Sequence, residues 1–302
     1  MSFSTIQSFD KVNVSTKTII GISNMIFDAY SIYIYLPVTE YEISKKKKKF
    51  DDETAKCKVP IPISSIMTVS NRTNTRGSSQ KKKRNEKTFF LNAISIVVLI
   101  TPEKTINVKL YGNGVFQATG CKTNRQFYNA ISHIYKWILW IEKITGQRVH
   151  KIRDSEHPNV ILNTVMKNHD FKLGFHVDRE KLNSFLNENT EYISLYEFGV
   201  NNGVNVKIRS ENPYFKHLKC FNIITNKISQ VEFSEFSKLL EKRKPQQQHV
   251  KIKEKFHTFL IFASGSVIFT SSGPDMKNVY TDFMNILMKN RNAFEDTSIS
   301  EK

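Results

Sequence analysis

The chain has 302 residues and a formal net charge of +17 at pH 7, because 45 lysines and arginines outnumber 28 acidic residues. With 39% hydrophobic and 12% aromatic residues, the composition excludes wholesale disorder and a fibrous repeat, and it predicts a globular protein. The longest nearly apolar run, Ala93–Ile100, spans eight residues, well short of the roughly 20 that a membrane helix needs. We therefore expect a soluble, unexported protein with a polyanionic partner.

The first predicted elements are a strand and a helix. Val14–Gly21 is typical of a strand. Ile26–Leu36 is a candidate helix, but Ile32, Ile34 and Leu36 also alternate as they would in a strand. Both interpretations of this second segment stay open.

The next segment concentrates the positive charge. Residues 45–87 hold 14 lysines and arginines against four acidic residues, which is +10 of the total +17. The segment indicates a polybasic insertion, residues 38–86, in the first half of the chain. It is either a solvated loop without a binding role or an electrostatic arm for nucleic acid or nuclear import. In both cases we expect the removal of residues 45–86 to leave the fold intact.

An internal repeat links the two halves of the chain. Leu110–Thr119 aligns with Ile261–Thr270 at an offset of 151 residues. Each copy predicts a strand, a tight Asn-Gly or Ser-Gly turn and a second strand, followed by an amphipathic helix that begins near Asn124 or Pro274. The apolar stripes of the two helices are Phe127, Ile131, Ile134, Ile138 and Ile141, and Val279, Phe283, Ile286 and Leu287.

The second half repeats the order of the first. A strand at Asn163–Phe175 and a helix at Arg179–Leu186 correspond to the first strand and helix. Val231–Lys242 has apolar residues at helical spacing, and we place it in an insertion at about 210–255. The predicted domains are residues 1–150 and 151–302, with a flexible tail from about 292.

The fold class follows from this order of elements. A strand, a helix, several antiparallel strands and a second helix in each half predict a duplicated α+β fold with helices on one face of a sheet. Because alternate residues of a strand point to opposite faces, the apolar sets belong under the helices: Ile106, Val108, Leu110, Phe116 and Ala118; Val204, Val206 and Ile208; Phe259, Ile261, Val267 and Phe269.

The other side of the sheet, which we call the open face, carries mixed chemistry. Its predicted residues combine cations, amides and hydroxyls with some aromatic and aliphatic side chains, among them Asn107, Lys109, Tyr111, Gln117, Thr119, Asn205, Lys207, Arg209, Thr258, Leu260, Phe262, Ile268 and Thr270. Such a surface suits phosphate contacts, hydrogen bonds to base edges and wedges between bases. An ordinary solvated sheet face is the alternative.

These residues resemble the TATA-box-binding protein family, most closely its divergent members in large nucleocytoplasmic DNA viruses. Leu260–Thr270 is similar to the family's second hairpin, Tyr196–Gly203 to its YEPELFPG segment, and Asn113–Lys122 to its first hairpin. The resemblance implies a saddle: a curved antiparallel sheet with helices on the convex face, whose concave face binds and bends double-stranded DNA from the minor groove. It implies no enzyme activity and no cofactor.

The resemblance also implies site residues and partners. The groove-lining valine and threonine of each hairpin match Gln117 and Thr119, and Ile268 and Thr270; the wedge phenylalanines match Tyr111 and Phe262; the lysine that follows the first hairpin matches Lys122. It further implies a pseudo-dimeric monomer that recruits a B-type initiation factor and a multisubunit RNA polymerase. If the protein is viral, the expected compartment is a viral factory, the virion or the nucleus.

Several positions depart from the family pattern. One wedge phenylalanine falls on Asn201, its partner falls on Phe90 or Phe89, and Gly273 replaces the second lysine. The family's paired asparagines match only Asn13, and Met166 or Asn168. Two other functions therefore stay open: a protein-interaction scaffold of the same fold with little DNA affinity, and a binder of single-stranded nucleic acid.

Other chemistry has weaker support. Gly112 and Gly114 follow a strand, but a hairpin turn explains them better than a phosphate-binding loop. Cys121 beside Lys122, and His249 with His257, lack partners at the spacing of a catalytic thiol or a metal site. Three cysteines without such spacing predict a reducing compartment and no structural zinc.

Overall fold

The structure is a computed structural model that describes residues 7–39, 61–71, 74–77, 93–199, 203–212, 214–241 and 254–298. Its chain forms two compact units. We call residues 18–163 with 218–243 the first-repeat unit, and residues 1–17, 164–217 and 244–302 the second-repeat unit. The predicted boundary at residue 150 therefore differs from the observed division, because residues 218–243 belong to the same unit as the first half of the chain.

Fifteen strands and five helices make up the described part of the chain. The strands are β1 (Val14–Ser23), β2 (Met25–Phe27), β3 (Ile66–Asn71), β4 (Asn74–Gly77), β5 (Ala93–Thr101), β6 (Lys104–Tyr111), β7 (Val115–Cys121), β8 (His150–Ile152), β9 (Asn159–Lys172), β10 (Ile193–Leu195), β11 (Gly203–Arg209), β12 (His217–Asn222), β13 (Ile228–Glu232), β14 (Phe256–Phe262) and β15 (Ser266–Ser271). The helices are α1 (Ala29–Tyr35), α2 (Asn124–Thr145), α3 (Arg179–Asn189), α4 (Phe233–Glu241) and α5 (Met276–Lys289).

The first-repeat unit is built on an antiparallel sheet. Its strands lie in the order β1-β7-β6-β5-β3-β4, and β12 pairs with the first residues of β9, with Phe221 opposite Val160. The helix α2 packs against β5, β6 and β7. A buried cluster that contains residues of α2 and of these strands forms the core of this unit.

Helix α2 begins and ends where its sequence predicts. The side chain of Thr123 accepts a hydrogen bond from the backbone N–H of Gln126, which satisfies one of the free donors at the N-terminus. Gly146 ends the helix in the left-handed conformation, at φ 68°, which costs glycine little. All five residues of the predicted stripe are buried, so the periodicity identified the face that packs on the sheet.

The second-repeat unit contains antiparallel strands that pack on a core of their own. Its strands lie in the order β10-β11-β14-β15-β9. Helices α3 and α5 contribute Leu182, Leu186, Phe283 and Leu287 to a core cluster that includes Phe259 and Phe269. The rings of Phe259 and Phe269 stack with centroids 4.2 Å apart.

The internal repeat is visible in the elements themselves. The hairpin of β6 and β7 and helix α2 recur as β14, β15 and α5, and the last residue of β6 and the first residue of β7 recur 151 positions later in β14 and β15. The predicted apolar sets are buried in both copies, apart from Ile208, which is partly buried. The predicted α+β class and the sheet faces assigned by alternation are thus confirmed.

The segment predicted as a polybasic insertion contains two strands. β3 and β4 lie within residues 38–86, and β3 pairs with β5 over Ile66–Asn71. Ile66 and Val69 are buried in the core of the first-repeat unit. Arg76 of β4 donates hydrogen bonds to the carbonyl oxygens of Tyr33 and Ile34. Removal of residues 45–86 would delete part of the sheet, so the expectation that the fold survives it is wrong; residues 40–60 and 78–92 lie outside the described residues.

The segment predicted as a tail also packs. Phe294 is fully buried, and its carbonyl accepts a hydrogen bond from the backbone N–H of Asp178 at 2.9 Å. Residues 292–298 are therefore anchored to the second-repeat unit, in contrast to the predicted flexible tail. In the insertion at 210–255, the predicted helix is observed as α4. For the segment Ile26–Leu36, β2 and α1 divide it, so the helical interpretation holds only from Ala29.

Candidate nucleic-acid interface

The open face of the first-repeat unit brings five predicted residues together on two strands. Lys109 lies opposite Gln117, and Asn107 lies opposite Thr119, in the pairing of β6 with β7. These side chains are half-buried, so the surface still meets solvent. The hydroxyl of Ser95 on β5 donates to Asn107 Oδ1 at 2.8 Å, which extends the polar surface by one strand.

Tyr111 ends β6 beside this polar surface. Its hydroxyl donates to Gln117 Oε1 at 3.5 Å, a long hydrogen bond. Burial raises the pKa of the Tyr111 hydroxyl, so the group stays protonated and remains a donor at neutral pH. Lys122 lies outside β7, is exposed, and donates its backbone N–H to Gln126 Oε1 at 2.6 Å.

The open face of the second-repeat unit is organised in two rows of residues across the strands. In one row Asn205, Leu260, Ile268 and Asp170 are neighbours on β11, β14, β15 and β9. In the other row Lys207, Thr258, Thr270 and Asn168 are neighbours on the same strands. Thr270 Oγ1 donates to Asn168 Oδ1 at 3.1 Å, which fixes one of the predicted residues on this face.

The ends of this face differ in character. Phe262, half-buried at the end of β14, lies opposite Gly203. Arg209, at the other end of β11, has a side chain 73% exposed and forms a 2.9 Å ion pair with Glu254. Glu254 therefore partly neutralises the positive charge of Arg209. The wedge positions assigned to Phe90 or Phe89 and to Asn201 lie outside the described residues.

Sequence reasoning missed a part of the open face that β9 and β10 supply. Asp170 is exposed on this face beside Ile268. The alternation of Asn168, Asp170 and Lys172 with buried His169 and Phe171 is a signal that could have found it. β10 has three residues, too few for a periodic pattern, so Ile193 and Leu195 were not predictable in this way.

The residues considered for other chemistry have structural roles. Gly114 is at φ 87° in the turn between β6 and β7, as the hairpin interpretation predicted. Cys121 is fully buried. His257 is buried, with Nδ1 2.7 Å from Ser271 Oγ and Nε2 3.1 Å from Asp275 Oδ1. Within the described ranges no group of three or more potential metal ligands occurs; His249 lies outside them.

The side chain of Asp275 ties a loop to the start of α5. It accepts hydrogen bonds from Ser210 Oγ and from the backbone N–H groups of Glu211 and Asn212. Burial alone would raise the pKa of Asp275, but the hydrogen bonds from Asn212, His257 and Ser210 outweigh burial and hold this pKa below its ordinary value. This cluster stabilises the junction where the inserted segment leaves β11.

Fold and face together define an α+β protein with two copies of a hairpin and helix, each with a sheet face left open by the helices. This face is polar in the first-repeat unit and mixes polar and apolar side chains in the second-repeat unit. No helix in the described part of the chain is long and apolar enough to cross a membrane. No family model matches the chain.

The chain is similar to viral and archaeal proteins. It is 25% identical over 299 residues to uncharacterized protein 335L of Invertebrate iridescent virus 6, covering 92% of this chain and 84% of that protein. A region of 119 residues is 36% identical to the TATA-box-binding protein-like protein of Acanthamoeba polyphaga mimivirus, which is 35% of this chain and 30% of that protein. Among solved structures, TBP of Methanococcus jannaschii has a TM-score of 0.45 at 12% identity, with 92% of this chain and 98% of that chain covered.

The mimivirus similarity confirms the resemblance to the TATA-box-binding protein family and to its viral members that the sequence indicated. The matched region spans less than a third of that mimivirus protein. The match therefore does not assign the activity or the partners of the mimivirus protein to this chain.

Proposed function

We propose that this protein is a transcription initiation factor of the TATA-box-binding type, which binds double-stranded DNA through the minor groove and bends it. The observation that carries the proposal is the placement of Tyr111, Gln117 and Thr119 on one open face and of Phe262, Ile268 and Thr270 on the other. These pairs recur at the offset of the internal repeat. Their combination of hydroxyl, amide, aliphatic and aromatic groups suits a shallow groove floor with wedges at its ends.

The net charge supports a polyanionic partner. Lys109 and Lys207 lie on the open faces, and thirteen of the fourteen basic residues at 45–87 lie outside the described residues. Lysines of this kind contact phosphates without reading sequence. As in the family, a B-type initiation factor and a multisubunit RNA polymerase are the proposed protein partners, and a viral factory, the virion or the nucleus is the proposed compartment. We propose no catalytic role.

The proposal is tested by competition binding with duplex and single-stranded oligonucleotides over a salt series. We expect duplex DNA to compete best, and the logarithm of the binding constant to fall with log salt by about 0.9 for each phosphate contacted. Absence of duplex binding at low salt would support the scaffold function instead. Preference for the single strand would indicate that Tyr111 and Phe262 stack on unpaired bases.

A further inference from the structure

The two open faces differ at the positions that the internal repeat makes equivalent. Gln117 and Lys109, in register on β7 and β6, occupy the places that Ile268 and Leu260 occupy on β15 and β14. Both pairs are half-buried and sit at the same distance from their hairpin turns. The first-repeat unit thus presents an amide and an ammonium group where the second-repeat unit presents two aliphatic side chains.

The minor groove distinguishes these two surfaces. Every base pair presents acceptors there, and a G·C pair adds one donor, the N2 amino group of guanine. Against Ile268 and Leu260 that amino group would lose its water and gain no acceptor, and an unsatisfied buried donor costs about 1–3 kcal/mol. Against Gln117 the amino group meets a carbonyl oxygen with two lone pairs, of which the Tyr111 hydroxyl uses one in a long hydrogen bond.

We infer that the two units read different halves of the DNA site: the second-repeat unit requires A·T pairs over Ile268 and Leu260, whereas the first-repeat unit accepts G·C pairs over Gln117. This inference rests on the proposed function. A site with G·C in one half then binds in one orientation only, the orientation that places Gln117 on the G·C half. The difference between Gln117 and Ile268 therefore determines the orientation of the protein on its DNA.

The neighbouring residues agree with this assignment. Ser95 and Asn107 extend the hydrogen-bonding surface around Gln117. In the second-repeat unit, Asn205 flanks Leu260, but its Oδ1 is fully covered and so offers no acceptor to the groove. Asp170 is one strand beyond Ile268 and is exposed; its carboxylate is the one competing acceptor in that row.

Competition binding with four duplexes tests the inference: all A·T, G·C in one half, G·C in both halves, and inosine·C in both halves. Inosine lacks the N2 amino group, so it isolates the minor-groove donor. We expect the duplex with one G·C half to bind within about threefold of the all-A·T duplex, and the duplex with two G·C halves to bind about tenfold more weakly or worse. Inosine should restore binding to the A·T level.

Exchange of the two residues provides the matched variants. In Gln117→Ile a single G·C half should cost as much as two G·C halves cost the wild-type protein, and Ile268→Gln should let both halves accept G·C. The double exchange keeps the composition and should restore the wild-type pattern with the orientation reversed, which fluorescence energy transfer from an end-labelled duplex would report. Because both residues lie on open faces, no variant leaves a core cavity, and circular dichroism checks the fold.

Three results would overturn the inference. The second G·C half could weaken binding no more than the first, Gln117→Ile could leave the cost of one G·C half unchanged, or Asp170→Asn instead of Ile268→Gln could alter the discrimination. If every variant binds all four duplexes equally well, the half-site inference fails while DNA binding stands. If no duplex binds at low salt, the proposed function fails and the inference falls with it.

Discussion

Substitution of Phe221 tests whether residues 218–243 of the inserted segment belong to the core of the first-repeat unit. The Phe221 ring is 2% exposed and stacks on the Tyr128 ring of α2, with centroids 4.5 Å apart and planes inclined by 30°. β12 also pairs with β9 at this residue. Phe221→Ala removes a buried ring and its stacking contact with Tyr128, and such truncations cost about 3–5 kcal/mol of unfolding free energy.

Urea unfolding followed by tryptophan fluorescence measures this loss. The protein has two tryptophans, Trp137 and Trp140, and both lie in α2, so the signal reports the unit that Phe221 joins. Ile224→Ala is the matched control, because Ile224 is 56% exposed in the same segment and its truncation should change stability by no more than about 0.5 kcal/mol. Equal midpoints for the two variants, at equal denaturant slopes, would refute the assignment of this segment to the core.

Three further outcomes are expected. Phe262→Ala should reduce DNA bending more than Tyr111→Phe, which keeps its ring, as measured by energy transfer across a labelled duplex; an unchanged bend in folded, bound Phe262→Ala would remove the wedge role. Residues 45–60 precede β3 and hold seven lysines and three acidic residues. Their deletion should make DNA binding depend less steeply on salt concentration without changing the melting temperature. An unchanged salt dependence would show that this segment does not contact DNA. Asp275→Asn should lower the free energy of unfolding at pH 7 by about 1–3 kcal/mol. Because the pKa of Asp275 in the folded protein lies below its ordinary value of 3.8, this difference from wild type should shrink as the pH falls below about 4. Urea unfolding over a pH series measures the difference, and a difference independent of pH would contradict the carboxylate's role.

The sequence by itself determined the repeated elements and their faces. The hairpins and the helices that follow them were predictable because a period of two in β6, β7, β14 and β15 and a helical period in α2 and α5 arise from local geometry. The same alternation placed Gln117 and Thr119, and Ile268 and Thr270, on the open faces. Ile106, Val108, Phe259 and Phe269 are buried in the structure, which confirms that these hydrophobic periods identify the core residues.

Tertiary contacts alone decided the remaining features. β3 and β4 were hidden in a basic segment because β3 depends on pairing with β5 and β4 depends on pairing with β3. Such pairing leaves no local period in the sequence. Phe221 joins a core built by residues nearly a hundred positions earlier, and Phe294 is buried by α3 and its neighbours. The open-face position of Leu195 likewise follows from its pairing opposite Asn205, because β10 has only three residues and is too short to show a period. Pairing partners and their register depend on which distant surfaces meet, and local propensity does not encode that choice.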